Sequence, residues 1–274
     1  MTKNIFTLTI LLFLIKSSIA QVDFDTINKT DSKGLKQGTW IKKYPNNKIK
    51  YTGYFINDKP EGIFNYYYET GDLRSTLIYH NDGINASARF YHKTKALMAV
   101  GLFTNQKKDS TWQYFTFDSV LIAEEHYSKT IKNGQWKVYM LDGKLAEVTN
   151  YKNGLKEGEY IQYHENGSKR IETTYKEDKL TGFYTTYYDN GSIEYYGAYK
   201  NNLKFGEWRH FDDTGKILYS IKYDKNGNPA NKDKYEEDMN NELLKIEQEA
   251  KEMQEKIKNM PEVPVYMRDY QISQ

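Results

Sequence analysis

At 274 residues the chain has room for one large domain or two ordinary ones, and its formal net charge is only +2. It has no cysteine, which excludes disulfides, zinc–thiolate sites, cysteine nucleophiles and a lipid anchor on an N-terminal cysteine. Its apolar content is dominated by rings, with 26 Tyr and 12 Phe, a composition better suited to half-buried sheet surfaces than to a thick aliphatic core.

Residues 1–20 read as a Sec signal peptide. "MTKNIFTLTILLFLIKSSIA" carries an early cation at Lys3, an apolar run from Ile5 to Ile15, and small residues at Ser18 and Ala20 before a cut. The run is too short to cross a hydrocarbon core of about 30 Å as a helix, so no transmembrane segment is expected in the mature chain starting at Gln21. With Lys3 and Lys16 removed, 37 basic residues face 37 acidic ones. That balance leaves no electrostatic footprint for nucleic acid. Export places the protein in a periplasm or outside the cell. Residues 21–37 form an N-terminal edge and half repeat, because "GLKQG" (34–38) copies "GLKEG" (154–158).

From residue 38 the chain repeats itself every 24 residues. A glycine followed two residues later by an aromatic stands at Gly38/Trp40, Gly62/Phe64, Gly134/Trp136, Gly158/Tyr160, Gly182/Tyr184 and Gly206/Trp208. Two worn copies, Ala86/Ala88 and Ser110/Trp112, fall on the same ruler, giving eight registers without insertion or deletion. Seventeen residues after each start stands an aromatic without exception, from Phe55 to Tyr223. Nine after the start is usually Gly, with Asn47, Lys95 and Ser119 as departures.

Each period holds two strand-like runs and two turns. "EYIQYHE" (159–165) is followed by "NGS" (166–168), which predicts a type I′ turn at Asn166–Gly167, then by "KRIETTYK" (169–176) and a polar turn. Consecutive hairpins without helices make an antiparallel meander. Both strand parities carry rings, as at Trp136 and Tyr139, whereas a closed barrel or sandwich needs one wet face. The expected fold is all-β: an elongated open meander of about eight hairpin repeats over 38–228, followed by a C-terminal α-helix.

The tandem units resemble the MORN repeat variant family, as in "GQWKVYMLDGKLAEVTNYKNGLKE" (134–157) and "GEWRHFDDTGKILYSIKYDKNG" (206–227). The resemblance implies a repeat scaffold for protein or membrane-surface contacts rather than an enzyme. Such variants are often labelled antitoxin-like, which implies a toxin partner.

Past the array, Met239, Leu243, Ile246, Ala250, Met253, Ile257 and Met260 recur at alternating spacings of four and three. That is one apolar stripe on a helix over 231–260, ended by Pro261 before an extended tail, 261–274. The stripe either docks on the last strands as a cap or pairs with another chain as a weak dimer.

No catalytic, metal or cofactor constellation emerges. The five histidines fall at scattered repeat positions, and the glycines are needed for turns. Binding is the expected role: a protein partner first, with glycan or cell wall stacking on aromatic ladders as the alternative. The third and fourth copies stand out, because Ala86, Ala88, Lys95, Ser110 and Ser119 replace Gly or an aromatic. The small Ala88 predicts a notch in the ring column, flanked by Tyr91 and Phe115, where a partner could seat.

Overall fold

The computed structural model describes residues 27–80 and 83–230, together with 241, 244–245, 248–249, 251–252 and 255. The expected signal peptide and tail lie outside the described residues, as does most of the expected C-terminal helix. The eight described positions past 240 are helical.

The array is one antiparallel sheet of hairpins laid side by side in chain order. The first repeat is β2 (Lys36–Lys43) and β3 (Ile49–Ile56), with the two-residue β1 (Lys29–Thr30) against β2. Then come β4 (Lys59–Tyr67) with β5 (Leu73–His80), β6 (Asn85–Tyr91) with β7 (Leu97–Thr104), and β8 (Lys107–Phe115) with β9 (Leu121–Ser128). In the fifth repeat the first strand is broken at Asn133 into β10 (Ile131–Lys132) and β11 (Gly134–Tyr139), and β12 (Leu145–Lys152) completes it. The last three are β13 (Leu155–Tyr163) with β14 (Lys169–Lys176), β15 (Lys179–Tyr187) with β16 (Ile193–Lys200), and β17 (Leu203–Phe211) with β18 (Ile217–Tyr223). Among the described residues no register pair joins β18 to β2, so the sheet is open. The two worn copies are complete hairpins.

The two turns of each period are the reverse of the sequence expectation. At "NGS" the Gly167 N–H donates to His164 O at 2.8 Å, and only Gly167 has positive φ (+89°). This is a tight turn closed by a left-handed glycine bulge, not a type I′ turn. Asn166 keeps ordinary φ because its side chain takes another task, accepting the Ser168 N–H at 2.9 Å. The type I′ turns lie on the opposite margin. Asn57–Asp58 (φ 51°, 64°), Glu177–Asp178 (49°, 63°) and Asn201–Asn202 (51°, 69°) are positive at both central residues.

The glycine that opens each repeat makes a bulge. Thr52 pairs with Asn65 and Tyr54 with Glu61, so Gly62, Ile63 and Phe64 together face the single Gly53. Gly62 supplies the positive φ (+67°) that the bulge requires. The bulge swings the Phe64 ring flat over Gly53, where an added Cβ would lie 2.2 Å from the ring. Trp112 covers Gly101 and Trp208 covers Gly197 in the same way.

The third repeat reaches the same register by another route. β5 and β6 pair without any shift, from Ser75↔Phe90 to His80↔Asn85. Ala86 therefore needs no left-handed backbone, and the connection from His80 to Asn85 spans four residues where Ile56 to Lys59 spans two. Two residues have moved from the bulge into the turn, which keeps the period at 24.

Paired residues share a face, so the ring columns of every repeat fall on one side of the sheet, here the ring side. Its continuous buried cluster runs from Phe55 to Trp112, and a smaller one gathers Trp208, Ile221 and Tyr223 at the far end.

Candidate functional site

On the ring side, the aromatic two after a repeat start packs edge-on or tilted against the aromatic at seventeen. Centroids are 4.9 Å apart for Phe103–Trp112, 5.1 Å for Trp136–Tyr151 and 5.0 Å for Tyr199–Trp208. Neighbouring repeats therefore share one herringbone ladder. Over it lies a column absent from the sequence reading, two residues before each start. Lys36, Lys108, Lys132, Lys156 and Lys204 place their ammonium groups 4.0–5.5 Å from these rings. Each cation covers the ring faces that a stacked sugar would need. The three Trp indoles over β7, β9 and β16 donate to Leu102 O, His126 O and Ala198 O at 3.0–3.1 Å, which fixes their tilt.

Trp40, expected from sequence to match the other repeat openers, departs from them. It is half-buried at the edge of the core, its ring edge-on to Phe55 at 5.9 Å. Its buried Nε1–H meets no acceptor among the described residues. The neighbouring strand is nonetheless present: Lys29 of β1 pairs with Gln37 as Leu102 pairs with Asp109 and Ala198 with Phe205.

Two carboxylates sit in the ladder. Glu125 accepts from Tyr114 at 2.6 Å and from Tyr127 at 2.8 Å, while Lys108 donates to Tyr114 at 2.8 Å. Glu147 accepts from Tyr160 at 3.0 Å and Thr149 at 2.8 Å. Burial, then the neighbouring carboxylate, pushes the Tyr114, Tyr127 and Tyr160 phenols well above their usual range, and burial pushes the Lys108 ammonium down. Tyr139, beside Glu124, is raised to about 12, mainly by burial. These phenols stay protonated in the fold but ionise near pH 10 when unfolded. Stability is therefore full below about pH 10 and falls as pH climbs toward the raised values. Urea midpoints at pH 8 and about 11.5 should differ clearly, and Tyr127→Phe should lessen the difference; equal midpoints would refute the account.

The predicted partner residues do not form one cluster. Ala86 and Ala88 are buried in β6 at 2 % exposure, and the expected notch is closed by Leu77, at 0 %, which pairs directly with Ala88. A branched side chain from the neighbouring strand fills the space that a ring takes elsewhere. Lys95 (φ 72°) and Ser119 (φ 64°) stand exposed at the tips of successive hairpins in the glycine's left-handed place, and Ser110 (φ 58°) marks a bulge near the other margin. Tyr91 and Phe115 are half-buried, their carbonyls meeting Tyr68 Oη and His92 Nε2 at 3.2 Å. That pairing explains two histidines: His92 and His164 occupy the column where Tyr44, Tyr68 and Tyr188 also reach a carbonyl 23 residues on. Gly38, Gly134, Gly158, Gly182 and Gly206 have positive φ at the repeat starts. Among the described residues no group of three His, Asp or Glu could hold a metal ion.

The opposite face carries a feature that the sequence reading missed. Phe183 pairs with Ala198, and Ala198 with Phe205, so two phenylalanines flank an alanine across β15, β16 and β17. Phe183 is 66 % exposed and Phe205 44 %, with Leu203 at 46 % beside them. Phe183 stacks on Tyr196 at 5.5 Å, Lys200 lies 5.9 Å over Phe205, and the Arg209–Glu207 ion pair at 2.6 Å borders the patch. At the place of Phe183 the other repeats carry Thr39, Ile63, Ser87, Thr111, Gln135, Glu159 and Glu207. At the place of Phe205 they carry only polar residues, such as Gln37, Asn85 and Thr181. Aligning these outward columns was the signal that could have found the patch.

The family model described as "MORN repeat variant" matches residues 36–57, 60–81, 132–153, 156–177, 180–201 and 206–225. The stretch it skips holds the two worn copies. A search of the curated proteins gave no match. Among solved structures, one titled "Crystal Structure of TcdB2-TccC3-Cdc42" aligns at 10 % identity and a TM-score of 0.18, over 71 % of this chain and 12 % of that chain.

Proposed function

Because the chain belongs to the MORN repeat variant family, we propose that it is an exported, non-enzymatic scaffold that holds a protein partner in the cell envelope or outside the cell. The observation carrying this reading is the patch of Phe183, Phe205 and Leu203. Each is a large apolar side chain left in water, and the two Phe stand where sibling repeats are mostly polar. An apolar centre with a rim of Lys200, Arg209 and Glu207 is the anatomy of a protein interface. A glycan reading would use the ring ladders, whose faces are occupied by lysines and neighbouring rings.

The test is capture from envelope extract by residues 21–274, with a parallel extract digested by protease that is then removed. Capture should vanish after digestion and fall at least about tenfold for Phe183→Ser with Phe205→Ser, since two buried aromatic anchors are worth well over 1.4 kcal/mol. Both sites are outward-facing, so the circular dichroism of the sheet should not change. Protein recovered from the envelope should begin at Gln21. Capture that survives digestion, or that ignores both substitutions, sinks the reading.

A further inference from the structure

We propose that the ring side over β14–β16 is a groove for an amphipathic helix, occupied by this chain's own segment 239–257. Lys245 forms an ion pair with Glu194 of β16, and Glu249 pairs with Arg170 of β14 at 2.5 Å. Arg170 and Glu194 hold the same place in consecutive repeats, twelve residues after each start. The residue at that place in the third repeat, Met98, is 4 % exposed in the ring-side core, and Glu194 itself accepts from Thr186 at 3.1 Å. Equivalent places in neighbouring repeats lie about 9.6 Å apart across the sheet. Lys245 and Glu249 are separated by about 6 Å along a helix, a gap that long side chains close. The helix therefore crosses the strands and runs from the later repeat back to the earlier one.

The register of that helix shows which face is turned inward. At about 100° per residue, Asn241, Leu244, Gln248, Lys251, Glu252 and Glu255 fall on one side, and all are exposed. A helix continued at that spacing would turn Leu243, Ile246, Ala250, Met253 and Ile257 toward the sheet. The floor beneath is shallow. Where the second and third repeats place Tyr66 and Phe90, four residues after the start, the sixth and seventh place Gln162 and Thr186. Charge agrees: residues 231–262 hold six Lys against ten acids, while 21–230 hold 30 basic residues against 26 acidic. Of the two roles expected from sequence, docking on the sheet or pairing with another chain, these ion pairs favour docking, and they place it on the sixth and seventh repeats. The inference does not depend on the partner patch, which lies on the other face.

The intact chain can be tested without new cysteines. A carbodiimide joins an amine and a carboxylate in direct contact, and Lys169–Glu172 at 2.7 Å is an internal control for the reaction. Equal amounts of 15N-labelled and unlabelled protein are mixed, treated, digested and read by mass spectrometry. The expected product is a Lys245–Glu194 link within chains of one isotope. In Ile246→Asp with Met253→Asp, that link should fall at least tenfold relative to the control, since a carboxylate on the sheet-facing side opposes docking. Links of mixed isotope would overturn the proposal in favour of a second copy. Failure to see the link while the control reacts, or a link indifferent to the Asp substitutions, would also overturn it.

Discussion

Gly101→Ala is expected to lower the unfolding free energy by about 2–3 kcal/mol, at the upper end of the range for forcing atoms into a packed core. The new Cβ would lie 2.2 Å from Cδ2 of Trp112. The indole cannot retreat: it is 1 % exposed, its Nε1–H is tied to Leu102 O at 3.1 Å, and Phe103 packs against it at 4.9 Å. Gly101 has ordinary φ, so backbone strain contributes nothing and the cost is steric. In a Trp112→Ala background the same substitution should cost almost nothing, a coupling of about 2 kcal/mol between residues in contact. Urea midpoints of the four proteins check this. A penalty that persists without the indole would show that Gly101 is needed for another reason.

Ala88→Trp should destabilise the array by about 1–3 kcal/mol. No cavity awaits the ring, because Leu77 already fills that volume at 0 % exposure. Across the sheet, large residues meet small ones: Phe64 over Gly53, Trp112 over Gly101, Trp208 over Gly197, with Tyr160 paired to Thr149 and Tyr184 to Thr173. Leu77 with Ala88 is the same rule inverted. Adding Leu77→Gly to Ala88→Trp should therefore recover at least half of the lost stability, even though Leu77→Gly alone creates a cavity costing about 2–5 kcal/mol. Denaturant unfolding of both single variants and the double gives the answer. Wild-type stability in Ala88→Trp would mean that the notch is open after all.

The meander was legible because a 24-residue ruler and an aromatic seventeen residues after every start leave few other foldings. What the sequence reading missed depends on comparing columns two at a time. Ala88 looks like a loss until Leu77 is set beside it. Trp40 looks like any other opener until its unmet indole N–H is seen. Asn166–Gly167 has the composition of a type I′ turn, and only the backbone shows that a bulged turn needs positive φ at the glycine alone. The lysine column was hidden because it begins two residues before the motif that defines the repeat and is broken by Pro60, Ile84 and Leu180. Exposure of Phe183 cannot be read from a chain that carries rings on both parities. It follows only once the bulges fix which side each ring faces.

Both margins of the sheet are stitched at intervals of one repeat. Tyr44 Oη reaches Tyr67 O at 2.8 Å and Asn166 Nδ2 reaches Asp189 O at 2.6 Å, while opposite them the Lys36 and Lys156 N–H groups reach Asp58 and Asp178 at 2.8 and 2.6 Å. For its strand pairing and its margin hydrogen bonds a hairpin thus needs only what lies within roughly one period on either side. Such a chain assembles by addition, each finished unit presenting a template to the next, in the nearest-neighbour manner of one-dimensional arrays. Loss of a unit from the middle should leave two shorter bodies able to rejoin, so that repeat number is free to change by duplication or deletion without a new fold being invented.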